Sequence, residues 1–463
     1  VHPGPQEVAL MRRNRYCREM KNIDTLLHAR WVIPVDDKSR FLENHCVAIH
    51  DDRILEILPC SDAEEKYSAS VTRHYNQHAL IPGLINSHTH AAMNLFRGLA
   101  DDLNLMDWLE NHIWPAESLH VNEAFVHTGT ELAIAEMIRG GTTCFNDMYF
   151  FPDITARVAA DIGMRASVGL ILIDFPRVWA NNSEEYIDKG LAVFDHYKGH
   201  DLIKTAFAPH APYTVSDQPL KRIRTLSDEL ELSIHMHVHE TAYEVSEAKK
   251  NTGLRPLTRL YELGLLTPAL QAVHMTQLHD DEIPLLASTG SHVIHCPESN
   301  MKLASGTCPV KSLLGAGVNV ALGTDSSSSN NDLDMFGEMR SAAMLAKIST
   351  MDATAVPAEQ ALQMATINGA RALGIDDITG SLEPGKFADI VAVNFDTIET
   401  VPLYDPVSHL VYCSSREHVS DVWIAGKQRL TDRVLNTIDE PRLKAESIKI
   451  SESIKASESI KEK

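Results

Sequence analysis

Apolar and polar positions change rhythm twice along this 463-residue chain. From Asp24 to Pro59 short β-rich runs alternate with turns, as in TLLHARWVIPV (25–35), and the Asp51-Asp52 pair predicts a hairpin turn. The same vocabulary returns in KFADIVAV (386–393) and DVWI (421–424), so the two ends of the chain are expected to build one β-domain around a central insert. Between Leu80 and about Gly374 the text changes to short apolar runs separated by longer stretches of helical period, the mark of βα units on a parallel sheet. The runs fall at 79–90, 142–148, 165–174, 202–211, 233–240, 270–278, 291–300 and 318–326. Eight of them predict an α/β chain with a (β/α)8 TIM-like barrel, joined to a composite β-sandwich domain made from both chain ends. The expected division is a loose lead over 1–22, a first sandwich segment over 23–79, the barrel over 80–380, a second sandwich segment over 381–435 and a tail over 436–463. That tail repeats Glu-Ser-Ile-Lys, and its low complexity and lack of aromatic residues predict a frayed end.

Composition narrows the function classes. With 44% hydrophobic and 23% charged residues the chain has the apolar surface for a packed core, which excludes wholesale disorder. A formal net charge of −21 argues against sequence-independent nucleic-acid binding, which draws on a basic surface. Seven scattered cysteines without a C-x-x-C pair suit reduced thiols. With no apolar run of membrane length and no secretory pattern at the start, the expectation is a cytoplasmic, unanchored protein with a small-molecule partner.

Histidines and acids fall at the carboxyl ends of the apolar runs: His88 and His90 on the first, His210 on the fourth, His237 and Glu240 on the fifth, His274 on the sixth and Asp325 on the eighth. Parallel barrels hold their chemistry at that rim, where strand ends converge and loops admit solvent. In an H-x-H on a strand both imidazoles point to one face, so His88 and His90 can serve one ion. With 23 histidines in the chain such a pair also arises by chance, and the further strand ends carry the inference to a joint metal site. His239 reads as structural, His235 reads as a barrel-interior residue, and His292 and His295 match no motif.

PGLINSHTH (82–90), HMHVHET around His237 and Glu240, AVHM with His274, and LGTDSSSSNNDLDMFGEMR (322–340) closely resemble the amidohydrolase superfamily. Within it the chain is similar to the 5′-methylthioadenosine/S-adenosylhomocysteine deaminases, relatives of the triazine hydrolases, over about residues 24–430. The resemblance implies that His88, His90, His237 and Asp325 bind one divalent ion, zinc by preference, with Fe²⁺ or Mn²⁺ also acceptable to such ligands. Two-metal members carry a carbamylated lysine at the end of strand four; here that strand ends in His210 and Lys204 stands at its start, so a mononuclear site is expected. Such an ion lowers the pKa of water from 15.7 to about 7, worth ~12 kcal/mol toward hydroxide at neutral pH. The resemblance further makes Asp325 the general base, Glu240 the acid that protonates the ring nitrogen, and His274 the group that steadies the hydroxide or oxyanion, with Glu240 and Asp325 both touching substrate.

For the substrate, the resemblance assigns Glu117 to the two ribose hydroxyls, chemically apt because one carboxylate accepts from a cis-diol. A helix-start acid after Pro115 is the alternative reading. His210 resembles the residue that bonds the purine, with Trp114 as an apolar wall. No arginine ends strand three, leaving Arg97 and Arg177 as candidates for a homocysteine tail. Asn331 or Asp332 is expected to cap the helix that follows Asp325. The reading is hydrolytic deamination of 5′-methylthioadenosine, S-adenosylhomocysteine or adenosine to an inosine-type product and ammonia. The alternatives are an aminohydrolase or chlorohydrolase of triazines or another free heterocycle such as guanine, and a catalytically dead scaffold. Homo-oligomers are common among the resembled enzymes, and by that analogy a homo-oligomer is expected here.

Overall fold

The computed structural model describes residues 20–461 apart from 37 and 39, with side chains to 457. Most of the predicted lead, including Arg12, Arg13, Arg15 and Arg18, lies outside the described residues. Two eight-stranded sheets organise the rest. The first is mixed and takes strands from both ends of the chain: β1 (Lys21–Val32), β2 (Leu42–His50), β3 (Arg53–Pro59), β4 (Tyr67–Pro82), β13 (Ile390–Asn394), β14 (Val419–Ile424), β15 (Lys427–Thr431) and β16 (Val434–Leu435). Its order is β16-β15-β14-β13-β4-β1-β2-β3, and the two ends of the chain meet where β13 runs antiparallel to β4 with Ile390 opposite Pro82. The Asp51-Asp52 turn closes the β2–β3 hairpin as predicted, with Asp51 in the left-handed region at φ 54°.

The second sheet is the barrel, eight parallel strands in chain order: β5 (Leu84–Thr89), β6 (Thr142–Tyr149), β7 (Arg165–Leu172), β8 (Ile203–Pro209), β9 (Ile234–Val238), β10 (Leu270–His274), β11 (His292–His295) and β12 (Val320–Leu322). All eight predicted runs are strands. The last strand returns to the first through side chains and backbone together: Asn86 both donates to Thr324 Oγ1 (2.8 Å) and accepts from Thr324 N (3.0 Å), and Asp325 N donates to His88 O (3.0 Å). Only Gly83 separates β4 from β5, and a Cβ there would stand 1.9 Å from Thr143 Oγ1, so the junction needs glycine. Barrel and sheet are also tied by a buried ion pair, Arg165 Nε to Asp389 Oδ2 at 3.0 Å, whose carboxylate further accepts from Ala425 N and Thr379 Oγ1. With its lone pairs used, that pair avoids the cost of an unsatisfied buried charge.

The frayed tail is a correction. Glu440–Lys461 forms a helix of 22 residues. Its positions 443, 447, 450, 454 and 457 are buried or half-buried, a single stripe at helical spacing that lies on the barrel's Glu123–Arg139 helix. Arg442 pairs with Glu131, Arg139 Nη1 meets Glu440 Oε2 at 3.0 Å, and Ser457 Oγ meets His120 Nε2 at 2.9 Å. Packing supplies what the repeat's intrinsic propensity lacks. Among the described residues no helix is long and apolar enough to cross a membrane.

Candidate active site

Side chains from five strand ends converge at the barrel's carboxyl rim. His237 Nε2 stands 3.2 Å from His88 Nε2, and Asp325 Oδ1 stands 3.4 Å from His88 Nε2 and 3.3 Å from His90 Nε2. The other nitrogen of each ring is engaged elsewhere. His90 Nδ1 donates to Met148 O, His237 Nδ1 donates to His210 O at 2.8 Å, and His88 Nδ1 meets His235 Nε2 at 2.9 Å. Backbone acceptors at Nδ1 set the tautomer that turns an Nε2 lone pair to the centre, the usual support for a metal-binding histidine. Donors around a tetrahedral zinc at its ordinary bond lengths lie about 3.3 Å apart, so three imidazoles and one carboxylate at these separations fit a divalent ion.

Local backbone serves the same convergence. Gly323, two residues before Asp325, passes so close to β5 that a Cβ would stand 2.7 Å from His88 N. His274 and Asp325 hold positive φ, 75° and 61°, conformations that cost of order 1–3 kcal/mol each and collect at functional sites. Ser299 Oγ donates to Asp325 Oδ2 (2.7 Å) and Asn300 Nδ2 donates to His274 Nδ1 (2.9 Å), which leaves the proton of that ring on Nε2, 3.7 Å from Glu240 Oε2. Burial, with the Asp325 and Glu244 carboxylates nearby, raises Glu240 well above the usual carboxylate range and so favours its protonated form. Burial pushes His274 and His210 down to about 3, so both are neutral.

A cavity opens from this cluster between Leu109, Ile113, Trp114, Phe150, Ile173 and Phe175. Glu117 lies in its wall, 7% exposed, on the helix Trp114–His120. Tyr149 OH donates to Glu117 Oε1 at 2.9 Å. Burial raises the Glu117 carboxyl to about 7, partly offset by that hydrogen bond and by the charges of Arg177 and His90. His210 lines the cavity, its Nδ1 3.0 Å from Thr214 Oγ1. Arg177 lies over the Trp114 ring, 4.7 Å from its centroid, and lines the cavity too, whereas Arg97 pairs with Glu136 and lines a different groove. Of the four serines after Asp325, Ser326 reaches the cavity.

The residues that the rim pattern grouped are therefore together, and His239 is structural, accepting from Leu257 N at 3.2 Å. His292 meets Asn319 instead of the site, and Lys204 Nζ donates to Gly374 O at the strand's opposite end. The cap expected at Asn331 or Asp332 is corrected to Asp334: its Oδ1 accepts from Phe336 N (2.9 Å), while Asp332 Oδ1 accepts from Asp334 N and Asn331 pairs with Lys302. Ser299, Asn300 and Tyr149 were missed. All three lie at or just past a barrel strand's carboxyl end, so the rim rule applied to polar as well as ionisable residues would have found them.

A profile of the amidohydrolase family matches residues 79–429. The chain is 50% identical over 416 residues to a 5-methylthioadenosine/S-adenosylhomocysteine deaminase of Saccharophagus degradans, covering 90% of this chain and 93% of that one. It is 44% identical over 394 residues to a 5′-deoxyadenosine deaminase of Methanothermobacter thermautotrophicus, covering 85% and 91%. The crystal structure of an adenosine deaminase from Xanthomonas campestris with bound zinc superposes with a TM-score of 0.94 at 48% identity, over 94% of this chain and 100% of that one. A match over most of the sequence, with relatives this similar along nearly their whole length, establishes that the chain belongs to the amidohydrolase family.

Proposed function

We propose that this amidohydrolase is a zinc-dependent deaminase of 5′-modified adenosines, 5′-methylthioadenosine and S-adenosylhomocysteine among them, releasing ammonia and an inosine-type product. The names carried by the similar proteins support the reaction, and the zinc in the Xanthomonas structure supports the metal. The observation that carries the substrate class is the buried Glu117 carboxylate in the same cavity as the rim cluster. A free heterocycle has no diol to offer such a group; a ribose gives it two adjacent hydroxyl donors.

His88, His90, His237 and Asp325 would hold the ion, which when bound supplies the Lewis acidity that makes water a nucleophile at neutral pH. Glu240, protonated, gives its proton to the ring nitrogen beside the attacked carbon and makes that carbon electrophilic. Asp325 takes one proton of the attacking water and returns it to the departing ammonia, and the second proton of that water, lost as the oxygen becomes the product carbonyl, replaces the one Glu240 gave to the ring. His274, neutral and carrying its proton on Nε2, donates to the oxygen as charge develops there, its ring held by Asn300. His210 orients the purine, Glu117 the ribose, and the aliphatic and aromatic lining suits a thioether at the 5′ position. Arg177 is the cation we assign to a homocysteine carboxylate. The test is a panel of 5′-methylthioadenosine, S-adenosylhomocysteine, 5′-deoxyadenosine, adenosine, guanine and melamine, with ammonia measured for zinc-loaded protein. Turnover of the 5′-modified nucleosides ahead of the free bases is expected, and turnover of guanine or melamine alone would overturn the assignment.

A further inference from the structure

We propose that Cys46, Cys60 and His28, with His74 as the fourth donor, form a second transition-metal site of the zinc type, built into the terminal sheet and separate from the barrel rim. The register of the sheet creates it. His28 on β1 is the direct partner of Cys46 on antiparallel β2 and of His74 on parallel β4, so the three side chains stand in one row on one face. The neighbours on that face, Leu26, Ala48 and Leu58, form a small apolar cluster with Ala63 of the helix Cys60–Lys66, while Leu27, Ala29 and Val47 face the opposite side. Cys60 begins that covering helix and brings a second sulfur over the row. One donor atom each from His28, Cys46 and Cys60 lies within 4.8 Å of the others, and the His28 and His74 ring centroids are 4.4 Å apart.

Two thiolates and two imidazoles around a tetrahedral zinc stand roughly 3.3–3.8 Å apart, so binding draws His28, Cys46 and Cys60 closer together and turns His74, whose ring lies beside that of His28, toward them. His28 and Cys46 are buried and Cys60 half-buried, whereas His74 is exposed and gives an entry path from solvent. Glu64, one helical turn after Cys60, acts electrostatically on both His28 and Cys46 and adds negative charge at the rim. Binding forms two sulfur–metal and two nitrogen–metal bonds, the two thiol protons pass to solvent, and no electron is transferred. Thiolate ligands select a softer ion than the nitrogen and oxygen donors of the barrel, so the two sites differ in chemistry as well as place.

The full-length protein is loaded with zinc, freed of excess by gel filtration and analysed for metal. Two equivalents are expected for the wild type and one for Cys60→Ser, with deamination unchanged in the variant. Cobalt in place of zinc gives an independent readout, because among the described residues only this cluster of candidate ligands offers sulfur: a thiolate-to-cobalt charge-transfer absorption is expected in the wild type, retained in His90→Ala and lost in Cys60→Ser. His28→Gln leaves both thiols in place and is expected to weaken cobalt binding at this site alone. One zinc equivalent in the wild type with both thiols titrating free overturns the proposal, as does a mass two hydrogens lower under non-reducing conditions, which marks a Cys46–Cys60 disulfide instead.

Discussion

Glu117 and Glu240 are two buried carboxyl groups in one cavity, and deamination asks opposite things of them. Glu240 has Asp325 and Glu244 as neighbours, which add to burial in favouring its protonated form; Glu117 has the Tyr149 hydroxyl, Arg177 and His90, which hold its pKa down to about 7 against burial. Replacing Glu240 with Gln removes the acid while preserving shape. We expect kcat to fall about 10²–10⁴-fold with metal content unchanged, checked by steady-state kinetics beside metal analysis. In the proposed role Glu117 serves the ribose as a carboxylate, so as pH falls through about 7 it gains a proton and loses acceptor capacity. The KM for 5′-methylthioadenosine should therefore rise below about pH 7, and Glu117→Gln should have a raised KM without this pH dependence. Arg177→Ala should raise the KM for S-adenosylhomocysteine more than that for 5′-methylthioadenosine; equal effects on the two would return Arg177 to a role in supporting Trp114.

At the scale of strands and helices, the chemistry depends on close approaches that leave no room for side chains. Gly323→Ala would push β12 from His88, and we expect a lower melting temperature together with reduced zinc retention, since the same backbone positions a ligand on each side. Leu443, 1% exposed beneath the terminal helix, should cost about 2–5 kcal/mol when cut to Ala, measured by denaturant unfolding, with activity retained in what remains folded. The barrel strands and their rim histidines were legible in the sequence because each buried parallel strand is a short apolar run and the chemistry stands at one end of it. The terminal helix was not, because its stripe of Leu443, Ile450 and Ile454 makes sense only once the Glu123–Arg139 helix provides a surface to cover. The rim position of Asn300 and Tyr149 was there to be read, but their pairing was not: their partners, His274 and Glu117, are 26 and 32 residues away in the chain, and no local spacing announces it.

Across the whole molecule, the proposed ligand set, drawn from β5, β9 and the end of β12, would link metal binding to the integrity of the ring. Ions that bind only the folded state stabilise it by about 4 kcal/mol at a thousand times Kd, so chelation should lower the melting temperature and zinc should restore it. His88 and Asp325 face each other across the seam where the first and last barrel strands meet, clamped by Asn86 and Thr324. Synthesis on the ribosome therefore yields the first histidine pair more than two hundred residues before the aspartate that completes its coordination. A nascent chain halted ahead of β12 has nothing to close against, so the proposed site is whole only in a polypeptide whose ring has already come round.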